Sequence, residues 1–265
     1  MKEDPGTGGI RARFSAAAGT YDDHAQVQAE AARRVIDLLR LLPDPARVLE
    51  VGCGTGQLTR LLLERFPRAR IDAIDLAPGM IAEAQRNIAA SGRIRWIVED
   101  ARTFTSSVPY PVIVASCSLH WLDPLAESIR HLSGLLSAGG RMAAAVMLDG
   151  TLSELHALRR LVAPGKIPPG RMPSPESLRR CIEAAGLGVE RLDVEEVAAV
   201  CPSPERLVEQ LRQQGLTGGP ISRASHPLNR GEIRRLLEEY RAAYGVPGGV
   251  RVTYRIGHVL AGKPA

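Results

Sequence analysis

The sequence predicts a doubly wound α/β fold: a seven-stranded sheet, mostly parallel, with helices on both faces. Three observations carry this expectation. Short apolar runs alternate with helical periodicity through the first 150 residues. Each connection is long enough for a crossover, which favours parallel strands covered on both faces. A glycine-rich turn, Gly52-Cys53-Gly54-Thr55-Gly56, follows the first apolar run directly.

The elements follow in order. Residues 1–10 are glycine-rich and are expected to be disordered. From Phe14 to Leu42 the pattern is helical, with Val27, Ala31, Val35, Leu38 and Leu39 at three- and four-residue spacing, and Pro43 ends it. Arg47–Val51 reads as the first strand, and a helix from about Gln57 to Phe66 follows the glycine turn. Arg70–Asp75 is the second strand, and Pro78 opens a helix that Gly92 stops. Ile94–Val98 and Val112–Ser116 are strands three and four. A helix over Leu125–Leu136 ends at Ala138-Gly139-Gly140, before strand five at Arg141–Leu148.

After Asp149 the rhythm changes. Helical stretches at Thr151–Val162 and Pro175–Ala185 flank a Pro- and Gly-rich loop, Ala163–Ser174. Strand-like Val189–Val200 precedes helices near Ser203–Gln214 and Arg230–Tyr244, and Val250–Leu260 is the last strand. The late strands are expected to form a hairpin-like edge on the main sheet. One domain, 1–265, is expected, comprising an N-terminal helical lid at 11–42, a cofactor-binding core at 46–148, a helical insertion at 149–187 and C-terminal strands and helices at 188–265.

Composition narrows the function. No window approaches a membrane span, and the N-terminus lacks the apolar stretch of a signal peptide, so a cytoplasmic location and no membrane partner are expected. The four cysteines are scattered without CxxC spacing, which favours free thiols over disulfides or a metal site. The net charge of +5 is mild, and aromatics make up only 4%, which argues against a nucleic-acid interface. The charge suits either a solvated surface or a basic patch for an acidic partner.

In an open parallel sheet, ligands sit beyond the carboxyl ends of the strands, where strand order reverses. Gly52, Gly54 and Gly56 remove side-chain bulk there, and Asp75 at the end of the second strand can accept hydrogen bonds from both hydroxyls of a ribose. A dinucleotide site would need GxGxxG, with its third glycine in the following helix. This chain reads GCGTG and then Gln57-Leu58-Thr59, with no evident seat for a pyrophosphate, and no GK[ST] follows for a triphosphate loop. A phosphate-free nucleoside such as S-adenosylmethionine fits that loop better.

The run Glu50-Val51-Gly52-Cys53-Gly54-Thr55-Gly56, with Asp75 beyond it, resembles the Rossmann-like class I S-adenosylmethionine-dependent methyltransferases over residues 46–148. The resemblance implies that Gly52, Cys53, Gly54 and Gly56 line the methionine and ribose portion, with Glu50 just behind the loop. It also implies that Asp75 and Leu76 hold the ribose side, that Asp100 meets the adenine amino group, and that Ala101 supplies a backbone donor. Asp100 could equally be a loop carboxylate or N-cap. Ser116-Cys117-Ser118-Leu119-His120-Trp121 follows strand four, at the site face. Ser116 is expected beside the cofactor. Trp121 is a candidate acceptor contact or a packing anchor, and His120 a possible base or a structural hydrogen-bonder.

The additions carry a narrower resemblance. Arg13-Phe14-Ser15-Ala16-Ala17-Ala18-Gly19-Thr20-Tyr21-Asp22-Asp23-His24-Ala25-Gln26-Val27-Gln28 is similar to the opening of malonyl-[acyl-carrier protein] O-methyltransferases: a phenylalanine, small residues, a tyrosine, then HAxxQ. Ser118–Trp121, Leu152-Ser153-Glu154-Leu155-His156, the LVEQLRQQGLT run from Leu207 and Tyr254 fall in the same order as that family's motifs. The family acts in biotin synthesis, and it implies S-adenosylmethionine as cofactor and acyl-carrier protein as partner. The malonyl carboxylate would be methylated so that elongation enzymes accept it. A carboxylate with a pKa near 4 is ionised at neutral pH and needs no base, so alignment and water exclusion carry the rate. Tyr21, Trp121, Arg171 and Tyr254 are the candidate acceptor contacts, Arg171 because a guanidinium grips a carboxylate in two places, with Arg159 as a weaker choice. Met172 departs from the family's aromatic after that arginine. The pairs Arg33-Arg34, Arg159-Arg160, Arg179-Arg180 and Arg234-Arg235 are candidates for carrier docking, or are simply exposed helix faces. Competing expectations are methylation of another acid, a quinone or a natural product, and cofactor binding without turnover. Nothing in the sequence sets the oligomeric state.

Overall fold

The computed structural model describes residues 5–89, 91–166, 172–216 and 227–265. The chain enters through α1 (Pro5–Tyr21), a short 3-10 turn (Asp22–His24) and α2 (Gln26–Leu39). Then come β1 (Arg47–Val51), α3 (Gln57–Arg65), β2 (Arg70–Asp75), α4 (Pro78–Asn87), β3 (Ile94–Val98), β4 (Tyr110–Ser116), α5 (Leu125–Leu135) and β5 (Leu136–Met147). The later elements are α6 (Ser153–Val162), α7 (Pro175–Ala184), β6 (Gly188–Cys201), α8 (Pro204–Gln213), α9 (Arg230–Tyr244), β7 (Gly245–Val246) and β8 (Gly249–Gly262).

All strands join one sheet in the order β3-β2-β1-β4-β5-β8-β6, with β7 paired to β8. The first five strands are parallel, and β8 runs antiparallel between β5 and β6. Strand order therefore reverses at β1, which has β2 on one side and β4 on the other. The expected doubly wound sheet is present, and the two long late strands do pair antiparallel.

Alternation along the strands feeds two cores, one on each face. Leu49 and Val51 of β1 face a cluster with Ile129, Leu132, Leu178 and Ile182 of α5 and α7. Val48 faces Ala31, Val35, Leu39, Leu58 and Leu62 of α2 and α3. A third cluster joins Leu158, Leu207, Leu211, Leu236 and Tyr240 of α6, α8 and α9 to Val250 and Val252 of β8. Among the described residues no helix is long and apolar enough to cross a membrane.

Three local expectations need correction. The N-terminal segment expected to be disordered is helical from Pro5, because Ile10 and Phe14 on α1 have a cavity to cover. Packing there overrides the low helix propensity of Gly6, Gly8 and Gly9. The helical stretch expected from Phe14 to Leu42 is divided into two helices by a break at Asp22–His24. At the break the Asp22 carboxylate leaves the helical register and accepts bonds from the turn beyond β1. The fifth strand begins at Leu136 rather than Arg141, since Ala138-Gly139-Gly140 continues the strand through an irregular register opposite Tyr110 and Val112.

Candidate functional site

The strand ends around β1 are held by backbone bonds before any side chain acts. The N–H groups of Gly52 and Cys53 both donate to the Ile74 carbonyl, at 2.9 and 3.0 Å. Gly52 adopts φ +69°, and a Cβ on it would lie 2.4 Å from Cβ of Ser118. The Ser118 hydroxyl in turn donates to the Val51 carbonyl at 2.6 Å. The glycine is thus required twice, by a left-handed turn and by the close approach of the loop after β4.

A cavity of 330 Å³ opens at these ends, between β1, β2, β3 and β4, with α1 across its mouth. It is lined by Glu50, Gly52, Cys53, Gly54, Asp75, Leu76, Asp100, Ala101 and Ser116 of the expected cofactor set, and by Tyr21 and Trp121 of the expected acceptor set. Asp75 uses one carboxylate oxygen to accept from the Gly54 N–H at 2.9 Å and the other to accept from the Ala77 N–H at 2.8 Å. Burial raises its pKa against these two bonds. Each oxygen keeps a second lone pair for a ligand hydroxyl.

Glu50 is 1% exposed and takes the Thr59 hydroxyl at 2.6 Å. Burial pushes its carboxyl up to about 8, so it is largely neutral at pH 7. Asp100 is also engaged. Burial would raise its pKa, but Arg102 holds it below the usual range through bonds that include Nη2 to Oδ2 at 2.7 Å. Arg102 also donates to the Asp123 carbonyl at 3.1 Å, tying the loop after β3 to the loop after β4.

The rim above β4 is aromatic. Phe14 of α1 meets Trp121 edge-on at 5.3 Å and Tyr21 at 6.5 Å. Burial raises the Tyr21 hydroxyl well above its ordinary range, so it stays protonated. Cys117 sits at φ +52° on this wall, its thiol pushed up to about 12 by burial and so un-ionised.

Three expected residues fall outside the cavity lining, and a fourth is not described. Gly56 caps α3 at φ +90° and turns toward α4, where an added Cβ would meet Ile88 Cδ1 at 2.7 Å. His120 packs on Trp121 at 5.5 Å, outside the cavity wall, and burial pushes its imidazole down to about 3. Tyr254 lies on β8 opposite Val197, between the sheet and the α6, α8 and α9 cluster. Arg171 lies outside the described residues.

Sequence reading missed several members. Phe14, Gln28, Glu99 and Arg102 line the cavity. Phe14 and Gln28 sit in the N-terminal motif, yet only the fold shows that it reaches the strand ends. Asp22 of that motif accepts from Thr55 Oγ1 at 2.6 Å, Gln57 Nε2 at 2.8 Å and Asn87 Nδ2 at 3.4 Å. The late LRQQG run meets the same N-terminal segment: Gln214 donates to the His24 carbonyl, and Thr20 donates to the Gln213 carbonyl at 3.1 Å. Glu154 of the segment after β5 is 2% exposed and clasps Thr253 and Arg251 of β8, holding α6 down.

Several arginines of the candidate docking pairs have acidic neighbours. Arg33 and Arg34 meet Glu30, Arg179 meets Glu183, and Arg234 and Arg235 meet Glu238 and Glu239. Such exposed pairs mute a basic face. Among the described residues, no group of three or more His, Cys, Asp or Glu is placed to hold a metal.

Comparison with known proteins agrees with this architecture. A family model described as a methyltransferase domain matches residues 49–142. The magnesium protoporphyrin IX methyltransferase of Synechocystis, solved with S-adenosylhomocysteine bound, superposes with a TM-score of 0.54 at 15% identity, covering 91% of this chain and 86% of that one. At that identity the likeness concerns the fold. The malonyl-[acyl-carrier protein] O-methyltransferase of Acetivibrio thermocellus is 30% identical over 256 residues, 92% of this chain and 90% of its own length. That of Halalkalibacterium halodurans is 30% identical over 267 residues, 95% of this chain and 96% of its own. Identity at that level along nearly the whole of both proteins, over a cavity built at the reversal of strand order, places the chain in the malonyl-[acyl-carrier protein] O-methyltransferase family.

Proposed function

We propose that this enzyme methylates the free carboxylate of a malonyl thioester on acyl-carrier protein, with S-adenosylmethionine as donor, giving the malonyl methyl ester that primes pimeloyl synthesis for biotin. The observation that carries this reading is the division of the cavity. Glycine loop and Asp75 stand on one side, and an aromatic rim over β4 stands on the other, in a chain related along nearly its whole length to malonyl-[acyl-carrier protein] O-methyltransferases.

The residues present fit the donor. Gly52 and Gly54 leave room for a nucleoside to lie on backbone, and Asp75 keeps lone pairs for two ribose hydroxyls. When bound, S-adenosylmethionine supplies an electrophilic methyl group on a positively charged sulfur. The chain's own task is to align an oxygen with it and to keep water out. No described group needs to remove a proton, since the acceptor carboxylate is already ionised at pH 7. His120, held neutral with a pKa of about 3, suits that economy. Phe14, Tyr21 and Trp121 cover the reacting end, and Arg171 is our choice for holding the acceptor carboxylate. The strap formed by α1 would open to admit donor and carrier arm and close over both.

The test is methyl-labelled donor with malonyl-carrier protein, free malonate and unrelated acids as acceptors. Base-labile label on the carrier supports the reading, and label only on a free acid overturns it. Cofactor binding without product from any acceptor would point to a non-catalytic binder.

A further inference from the structure

Two glycines outside the cofactor loop meet the main chain of α1, one at Ser15 and one at the Arg13–Phe14 peptide. Gly79 stands in the first turn of α4, directly after Pro78. A Cβ on it would lie 2.4 Å from the Ser15 carbonyl oxygen and 2.7 Å from Ser15 Cα. Its N–H donates to the Ser15 hydroxyl at 3.3 Å. Alanine serves a helix better than glycine, so α4 alone does not account for this residue.

Gly215 ends α8. The Leu216 N–H donates to the Leu211 carbonyl at 2.9 Å and the Gly215 N–H to the Arg212 carbonyl at 3.0 Å, with Gly215 at φ +73°. This is the usual close of a helix on a left-handed residue, and asparagine can serve it too. A Cβ of any kind, however, would lie 3.0 Å from the Arg13 carbonyl oxygen and 3.2 Å from the Phe14 nitrogen. The atoms met at both places are main chain, which cannot swing aside as the end of a side chain can.

Phe14 lies between these contacts. It lines the cavity and meets Trp121 edge-on at 5.3 Å. The two supports are themselves fixed. Helix α4 follows the turn in which Ala77 bonds to Asp75, and the end of α8 accepts from Thr20 through the Gln213 carbonyl. Where alignment and water exclusion carry the rate, a small shift of the covering side chain changes it.

We propose that Gly79 and Gly215 are positioning residues: together they set the depth and register at which α1 closes, and so place Phe14 over the reacting end. This rests on the reading of Phe14 as part of that cover. The glycine of the late LRQQG run thereby answers to the N-terminal motif.

The experiment measures methyl transfer to malonyl-carrier protein and amide hydrogen exchange along Pro5–Tyr21. The variants are Gly79→Ala, Gly215→Asn, Phe14→Ala, and each glycine change combined with Phe14→Ala. Asparagine keeps the left-handed turn and adds the Cβ, so its effect reports the approach to α1. Each glycine variant alone is expected to lower kcat about tenfold or more and to quicken exchange in α1 while α2 keeps its protection. In the Phe14→Ala background each should change kcat by less than about twofold, because both act through Phe14. An equal loss with and without Phe14 overturns the proposal, as does wild-type kcat in either glycine variant. The two positions are independent, so a variant that fails to fold leaves the other to decide. If wild-type protein methylates no acceptor, the proposed function falls and exchange decides the seat. Quickening confined to α1 then supports it, and exchange that is unaltered or quickened throughout overturns it.

Discussion

The two sides of the cavity are built on different principles. The side formed by β1, β2 and β3 is rigid backbone: Gly52 and Cys53 bond to Ile74, and Gly54 and Ala77 bond to Asp75. The side formed by α1 and the loop after β4 is side-chain packing: Phe14 on Trp121, Tyr21 beside them, and Asp22 as the tie to Thr55 and Gln57. Strand ends fix their groups through the sheet, so that side can be preorganised for one constant ligand. A strap held by a few side-chain bonds can open, which suits an acceptor delivered on a long arm.

The sharpest way to break this contrast is to disturb the rigid side. Gly52→Ala places a Cβ against Ser118 at a left-handed φ, and we expect a cost of about 2–4 kcal/mol in urea unfolding with loss of S-adenosylhomocysteine binding. Adding Ser118→Gly should return part of the stability, because the overlap goes and the backbone strain stays. Wild-type stability in Gly52→Ala would refute the claim that the turn is fixed.

Next in size is a pH effect from Glu50. Its carboxyl stands near 8 in the folded chain against 4.5 unfolded, because it is buried. The native state then binds more protons than the unfolded state between those values. The stability due to Glu50 is fully present below about pH 4.5 and is lost as pH rises through about 8. Glu50→Gln should remove that slope and gain more than about 1 kcal/mol on wild type at pH 8.5, with little difference at pH 4.5. Parallel stability curves for the two proteins would show that Glu50 does not titrate this way.

Asp75→Ala tests the same side at its ligand-facing edge. Sequence reading expects weaker cofactor binding with little change in fold. The structure adds a cost, since Gly54 and Ala77 lose their acceptor. We expect about tenfold or greater loss of S-adenosylhomocysteine affinity together with about 1–2 kcal/mol of stability. Asp75→Asn, which keeps one oxygen, should recover more of the second than of the first. Unchanged affinity would exclude the ribose assignment.

Legibility followed the same division. The strand ends were visible in the sequence because glycine spacing and a terminal acid answer to local backbone geometry. The strap could not be placed that way. Its motif was recognisable, yet the break at Asp22 depends on Thr55 and Gln57, residues that meet it only once β1 and α3 are formed. Arg102 escaped notice because its role is to engage the neighbouring Asp100, which no spacing announces. Gly56 and Tyr254 were drawn toward the site by motif position, whereas packing against Ile88 and against the α6, α8 and α9 cluster sets their places.

On the flexible side, Trp121→Ala removes one member of the aromatic rim. The edge-on contact with Phe14 is worth about 0.5–1.5 kcal/mol, so acceptor KM should rise about threefold to tenfold. S-adenosylhomocysteine affinity should hold within about twofold, because the rigid side is untouched. A parallel loss of cofactor affinity would mean that the two sides are not separable.

Asp22→Asn has the smallest expected effect and tests the strap most directly. The amide keeps one acceptor oxygen but turns a donor toward a place where Thr55, Gln57 and Asn87 all donate. One or two bonds are lost at an exposed position, worth about 0.5–1 kcal/mol, which is too little to unfold the chain. Opening of α1 should become about twofold to fivefold more frequent. Amide hydrogen exchange should therefore quicken along Pro5–Tyr21 while the buried face of Gln26–Leu39 keeps its protection. Release of S-adenosylhomocysteine should quicken by the same factor, since the ligand leaves through that opening. If exchange along α1 is unaltered, Asp22 does not hold the strap; if α1 and α2 loosen together, the turn between them is a rigid joint and the strap is no separate moving part.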